Sequence, residues 1–324
     1  MSSLLRASAS PHIRTSQRVR GIMWSVTASL VPVLLFSIYH FGWTVLSTVL
    51  VCIVTALFTE SVILRIRNKP ISIVYDGSAV LTGLLLAFNL PAGIPWWIAM
   101  IGTIVAIAIA KQAFGGLGYN IFNPALVGRA FLLSAWPVEM TTWRIHGITG
   151  ATPLGILKEH GSAEVLTHFA GKSSMYAHLF WGDVGGCIGE TSAFLLLIGA
   201  VFLIYKKIIT WHIPISFIGS LFVFGWLFTG QGGFGDPLFY ILSGGVFLGA
   251  FYMATDMVTT PLTGRGKIVF GLGCGLFTFL IRKFGAYPEG VSYSILLMNI
   301  TTPIIDRYIT GRMFGLRKGE KIKA

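Results

Sequence analysis

Residues 146–161, HGITGATPLGILKEHG, place a threonine hydroxyl where a phosphate group can be held. Thr152 stands before Pro153 and an apolar, helix-competent run, so it can cap a helix whose first position is proline. A helix N-terminus favours an anion beside it, because its first N–H groups have no intrahelical partner. Gly150 and Ala151 leave that hydroxyl unshielded, and Thr149 offers a second one three residues earlier. On spacing alone, a plain capped surface helix is the stronger reading.

A second group of residues is costly where it stands. Arg129, Glu190 and Asp256 lie in or at the ends of long apolar runs, and ionisable groups at membrane depth mark functional sites. Asn120, Asn123 and Pro124 open the run that holds Arg129. Pairing of Arg129 with Glu190 or Asp256 is expected, and an ion pair that merely locks the chain together explains it equally well. Tyr287, Pro288, Glu289 and Gly290 either open the last run or form a turn. Other chemistries are absent from the pattern. The seven histidines offer no facing pair for a haem, and Cys52, Cys187 and Cys274 are too scattered for a metal, so they read as small core residues. GGLG and GLGCG follow no strand and make no dinucleotide fingerprint.

The elements that must position these residues are membrane helices. Of 324 residues, 54% are hydrophobic and only 11% charged, against roughly 25% in soluble domains. That excludes a cytosolic enzyme, a nucleic-acid-binding domain and a disordered chain. Apolar runs begin near Gly21, Val45, Ser78, Trp96, Ile121, Val184, Thr210, Leu238, Ile268 and Val291, which predicts ten helices. Several are short or interrupted by Gly and Pro, so their free backbone groups must be buried in protein or line a polar cavity.

The net charge of +12 is read through the loops, since Lys and Arg collect on the cytoplasmic side. With a cytoplasmic N-terminus, one face gathers Arg6 to Arg20, Arg65 to Lys69, Lys111, Lys206, Lys207, Arg265, Lys267 and the tail from Arg307. The other keeps Arg144, Lys158, Lys172, Arg282 and Lys283. Both termini are therefore expected inside, and the long connection 137–183 outside. The N-terminal stretch has no apolar signal core. The expected division is a basic arm (1–20), a first five-helix unit (21–136), the external loop (137–183), a second five-helix unit (184–310) and a basic tail (311–324). Gly83 and Gly249, and Pro124 and Pro288, recur at nearly equal offsets near half the chain length, which suggests that the two units are copies. A five-helix unit repeated in tandem is inverted in the membrane, with its functional centre where broken helices meet near the midplane.

The segment TGATPLG resembles the flavinylation motif of the RnfD/NqrB family, whose members are membrane subunits of Rnf-type ion-translocating electron transport complexes and of the sodium-pumping NADH:quinone reductase. SPHI (10–13), DGSAVLTGLLLAFNLP (76–91), KQAFGGLGYNIFNPALVGRAFL (111–132), GETS (189–192), MATDMVTTPLT, AYPEG and LMNITTPIID look like further family blocks. Chain length is similar to the Rnf member. The resemblance implies covalent FMN on Thr152 through a phosphoester. It also implies a possible non-covalent riboflavin at the broken helices. It further implies electron transfer between ferredoxin and NAD coupled to Na+ or H+ movement in a bacterial or archaeal cytoplasmic membrane. The implied partners are the other subunits, including a second flavinylated one, a flavin transferase for maturation, and membrane lipid. Arg129, Asn120, Asn123 and Glu190 are candidates to contact flavin, and Asp256, Arg129 and Glu289 to couple ions. The chain departs from the family at His146, where an Asp three residues before the motif's first Ser or Thr is usual. The rival reading is a channel or transporter for a small polar solute, which an inverted repeat with broken helices also suits.

Overall fold

The computed structural model describes residues 18–145, 148–228, 236–285 and 287–310, without the side chains at 144, 145, 148 and 149. His146, most of the basic arm and the basic tail lie outside the described residues. Ten apolar segments follow the expected order. The first five are α1 (Val19–Phe41), α2 (Thr44–Ile66), α3 (Ser78–Phe88), α4 (Trp96–Ile104), which continues as a π-helical turn over Val105–Gln112, and α5 (Pro124–Ala135). The connection 137–183 holds α6 (Pro137–Thr141), an antiparallel ribbon of β1 (Trp143–Ile145) and β2 (Ile148–Gly150), α7 (Pro153–His160), α8 (Ser162–His168) and α9 (Lys172–Trp181). The second five are α10 (Ala193–Tyr205), α11 (His212–Leu227), a broken segment of α12 (Pro237–Leu242) and α13 (Val246–Leu248), then α14 (Gly264–Phe284) and α15 (Val291–Tyr308). Apart from the ribbon, the described chain is all-α, as a polytopic membrane protein requires.

Three helices, α1, α2 and α14, are long and apolar enough to cross a bilayer alone. Eleven-residue α3 rises about 17 Å, short of a hydrocarbon core of about 30 Å. It is completed by a 3-10 turn before it (Ile71–Asp76) and by irregular chain after Asn89. One starting point moves by about nine residues: the sixth helix begins at Ala193, because residues 183–192 form an irregular segment that includes the 3-10 turn Ile188–Glu190. The eighth starts at Pro237, close to where it is expected, and is broken at Ser243–Gly245 before a π-helical turn over Gly249–Met253.

Close packing rests on small residues. A Cβ at Gly271 or Gly275 of α14 would strike the Ser216 or Ser220 hydroxyl of α11, so these two helices meet backbone to backbone. The Gly-xxx-Gly facing Ser-xxx-Ser is the usual device for association in lipid. Serine and threonine hydroxyls inside helices bond back to carbonyls, as Ser37 does to Val33 and Thr103 to Ala99, which removes their cost in an apolar medium. Outward faces carry exposed Leu35, Val54, Phe58, Val201 and Ile215, with Trp43, Tyr205, Trp211 and Tyr308 near helix ends, as lipid and its interfaces favour.

The 137–183 connection is not a free loop. Leu154, Ile156, Leu157, Val165, Met175 and Leu179 join the same apolar cluster as the membrane helices. Its return is fixed at Gly182, whose φ is +95° and whose missing Cβ would overlap the Thr191 carbonyl oxygen. Tyr176 of α9 donates to Asp236, the residue that caps α12, and Lys158 of α7 donates to the carbonyls of Gly285 and Tyr287, just before α15.

Candidate functional site

Thr152 caps α7 as its sequence suggests: its Oγ1 accepts the Gly155 N–H at 3.0 Å, and Pro153 takes the first helical position. It is nonetheless only 6% exposed, although Gly150 and Ala151 are exposed. The hydroxyl is thus shielded from bulk water and opens onto a cavity of about 330 Å³. Docking of α7 on the membrane helices, invisible to local spacing, is the reason. Arg129, Trp143, Tyr287, Glu289 and Tyr293 line the same cavity, as do Gly150 and Ala151. A Cβ at Gly155 would sit 3.2 Å from Thr152 Oγ1, so this glycine keeps the space around the hydroxyl open. The backbone of Thr149 pairs with Arg144 in the ribbon.

Arg129 lies mid-way along α5 and is 6% exposed. Glu190 and Asp256 are its expected partners, and neither forms the ion pair. The guanidinium binds the Glu289 carboxylate, and its other arm donates to Asn89 Oδ1 at 2.8 Å. Asn89 in turn is held by Leu85 O at 2.6 Å and by Met253 Sδ at 3.5 Å. Cys187, read from sequence as inert packing, donates to Asn89 O, and Ile188 N bonds Leu90 O. That short pairing draws the 183–192 segment under the end of α3 and delivers Glu190 beside Glu289.

Asn120, Asn123 and Asp256 do not belong to this cavity. They line a second one between the two halves of the chain, together with Ser78, Lys111 and Tyr252. Arg129 stands six positions after Asn123, the cap of α5, about 9 Å along the helix axis, which places them at different depths. Asp256 accepts from Thr259 Oγ1 at 3.3 Å and faces Asn120. Lys111, 1% exposed, is paired with Glu60 at 2.7 Å and donates to Ser78. The sequence groups Asp256 with Arg129; the fold separates them into two polar centres. Asn123 touches both regions indirectly, since its amide donates to Met253 O, on the turn that also contacts Asn89.

Asn89, Cys187, Lys158 and Tyr293 escaped the sequence reading. Asn89 had a signal, a lone amide in an apolar run two residues before Pro91. Lys158 had none, because its partners are carbonyls about 130 positions away. Partial burial at these carbonyls lowers its pKa from the ordinary lysine value, so its charge is held by hydrogen bonds without a carboxylate.

The cavity fits a flavin mononucleotide. Its volume lies in the range of about 300–1,000 Å³ typical of cofactor pockets. It offers a capping hydroxyl at a helix N-terminus, aromatic walls and one buried guanidinium. The relatives of the chain belong to ion-translocating oxidoreductase complexes. It is 49% identical to the D subunit of the proton-translocating ferredoxin:NAD(+) oxidoreductase complex of Clostridium ljungdahlii, over 98% of each chain. It is 48% identical to the Na(+)-translocating counterpart of Acetobacterium woodii, over 98% of this chain and 97% of that one. It is 37% identical to the D subunit of the ion-translocating oxidoreductase complex of Escherichia fergusonii, over 98% and 100%. Residues 6–315 match a single family model, and the chain belongs to the NQR2, RnfD, RnfE family.

Proposed function

We propose that this chain is the D-type membrane subunit of an Rnf-type complex, carrying FMN covalently on Thr152 and relaying electrons in ferredoxin:NAD oxidoreduction coupled to Na+ or H+ translocation. The observation that carries the reading is the capped threonine at the mouth of a cavity containing a buried arginine and two tyrosines. When bound, the flavin supplies one-electron chemistry that no side chain here provides. The chain's own residues hold and shield it. Thr152 Oγ1 forms the phosphoester, and α7 fixes that atom because Lys158 ties the helix to the turn before α15. Tyr287 and Tyr293, their rings 6.3 Å apart and nearly parallel, wall the cavity from one side. Arg129 holds a positive charge toward the flavin, its direction set by Asn89 and Glu289.

The second cavity, with Asn120, Asn123 and Asp256, has a volume of about 80 Å³, well below the range of about 300–1,000 Å³ for cofactor pockets, and suits the transported ion. The chain's relatives are named as D subunits of multi-subunit ferredoxin:NAD(+) oxidoreductase complexes, which supports a shared assembly. The chain therefore acts with other members of the complex, a second flavinylated one among them, in a cytoplasmic membrane, after a flavin transferase has acted.

A denaturing gel of the isolated chain under ultraviolet light tests the function. A fluorescent band at the chain's mass is expected, since only covalent flavin survives denaturation. A dark band from cells with an active flavin transferase would leave the solute channel as the better reading. Topology is tested separately. A cysteine placed at exposed Ser173 is expected to react with an impermeant thiol reagent in intact cells, because the charge bias puts the loop outside. Labelling only after lysis reverses the orientation.

A further inference from the structure

Beneath the Thr152 cavity lies a second, largely buried group of charges. The side-chain ligand atoms of Cys187, Glu190 and Glu289 all lie within 4.8 Å of one another. Two buried guanidiniums act on both carboxylates: Arg129 from α5, and Arg282 from α14, only 2% exposed. Arg282 is held by the carbonyls of Tyr240 and Ser243 at the break between α12 and α13, and its Nε has no partner among the described residues. Glu190 Oε1 is likewise cut off from solvent and without a hydrogen-bond partner among them. Gly186 and Gly245 make room for it, since a Cβ at either would come within 3.0 Å of a Glu190 carboxylate oxygen. A void of about 10 Å³ touches Thr152, Glu190 and Glu289, which is room for about one water molecule. From α7 and from the α12–α13 break it is lined by Thr152, Leu154, Leu242 and Gly244, which carry no charge.

We propose that Glu190 is a proton-accepting residue for the Thr152 cavity, taking one proton through Glu289 when an electron enters that cavity and returning it when the electron leaves. The inference rests on the flavin reading given above. With both carboxylates ionised, two arginines and two glutamates balance, so the group has no net charge to offset a new negative charge nearby. One proton on Glu190 converts carboxylate to carboxyl and supplies that offset. A divalent ion would add two charges to a balanced group and would need a coordination shell where about one water fits. Glu289 lines both the void and the larger cavity, whereas Glu190 lines the void alone, so Glu289 is the entry point. Each step balances: a hydronium ion from the solvent that reaches the larger cavity gives up its proton and is left as water, the proton crosses the Glu289 carboxylate and one bridging water and bonds a Glu190 oxygen, and the electron comes from the complex's redox partners. In a site of low effective dielectric, unmatched charge costs far more than in water, which is why electron and proton arrive together.

The test uses the purified complex that contains this chain. Redox-induced infrared difference spectra are expected to show a carboxyl C=O band appearing on reduction of the wild type and missing in Glu190→Gln. The midpoint potential of the Thr152 flavin is expected to lose part of its pH dependence in the same variant. A wild-type spectrum with no carboxyl band change overturns the proposal without any variant, so poor accumulation of Glu190→Gln leaves it testable. An unchanged pH profile in a well-assembled Glu190→Gln complex also overturns it. Absence of an FMN-sized adduct on Thr152 in the wild type would instead defeat the flavin reading, and mass spectrometry of the same preparation reports it.

Discussion

Thr152→Ala is expected to remove covalent flavin completely while leaving the chain folded in the membrane. The variant deletes the hydroxyl that forms the phosphoester and also deletes a helix cap. Loss of a cap costs about 0.5–2 kcal/mol. Against it stand Leu154, Ile156 and Leu157, each nearly fully buried and each contributing about 1.5–3 kcal/mol by leaving water. Packing therefore outweighs capping, and α7 stays docked. Thr152→Ser retains both the cap and the acceptor and should keep the flavin. Intact-mass analysis of the loop peptide, with in-gel fluorescence, checks both variants. An FMN-sized adduct on Thr149, with Thr152 unmodified in the wild type, would falsify the assignment. The Gly155 position offers a graded version, because an added methyl would crowd the Thr152 hydroxyl without changing its chemistry.

Arg129→Leu is expected to be the most destabilising single change at the site. It strands the Glu289 carboxylate in a mostly buried position, and breaking a buried pair typically costs about 3–5 kcal/mol. It also takes the donor from Asn89 Oδ1, which adds about 1–3 kcal/mol for an unsatisfied buried acceptor. The chain should accumulate poorly and melt early in detergent. Replacing a whole buried pair with apolar residues is often neutral, so Arg129→Leu combined with Glu289→Leu should recover abundance. Electron transfer should not recover with it, because the guanidinium is also the charge that faces the cavity. Recovery of abundance and electron transfer together would reduce Arg129 to a structural staple. Asp256→Asn belongs to the other cavity, and pairing it with Arg129→Leu should bring no rescue in thermal unfolding. That expectation replaces the joint Arg129–Asp256 core suggested by sequence, and residues with no shared partner usually contribute additively.

Sequence determined a good deal of this protein, and for a definable reason. Composition and the run lengths of apolar residues set the ten segments, because a bilayer demands length and hydropathy of each span locally. Residues within a few positions of one another settle local geometry as well, so TGATPLG announced the Thr152 cap and the proline behind it. The inward turn of the hydroxyl could not be read that way. It depends on Leu154, Ile156 and Leu157 finding a surface on the membrane helices, and on Lys158 finding carbonyls at Gly285 and Tyr287. Charge partners were equally out of reach: Glu190 and Asp256 were the two candidates for Arg129, and a one-dimensional pattern gives no depth or azimuth with which to choose or to find a third. The fold chose Glu289, because α5 and the turn before α15 meet at the depth where Asn89 closes α3. Cys187 shows the same limit, since a small buried residue and a member of a charged cluster look alike until a ten-residue irregular segment is laid beneath Leu90 and Pro91. Segments are decided by their own side chains and the solvent around them, whereas sites here are decided by contacts 40 to 160 positions apart, which only tertiary packing brings within bonding distance.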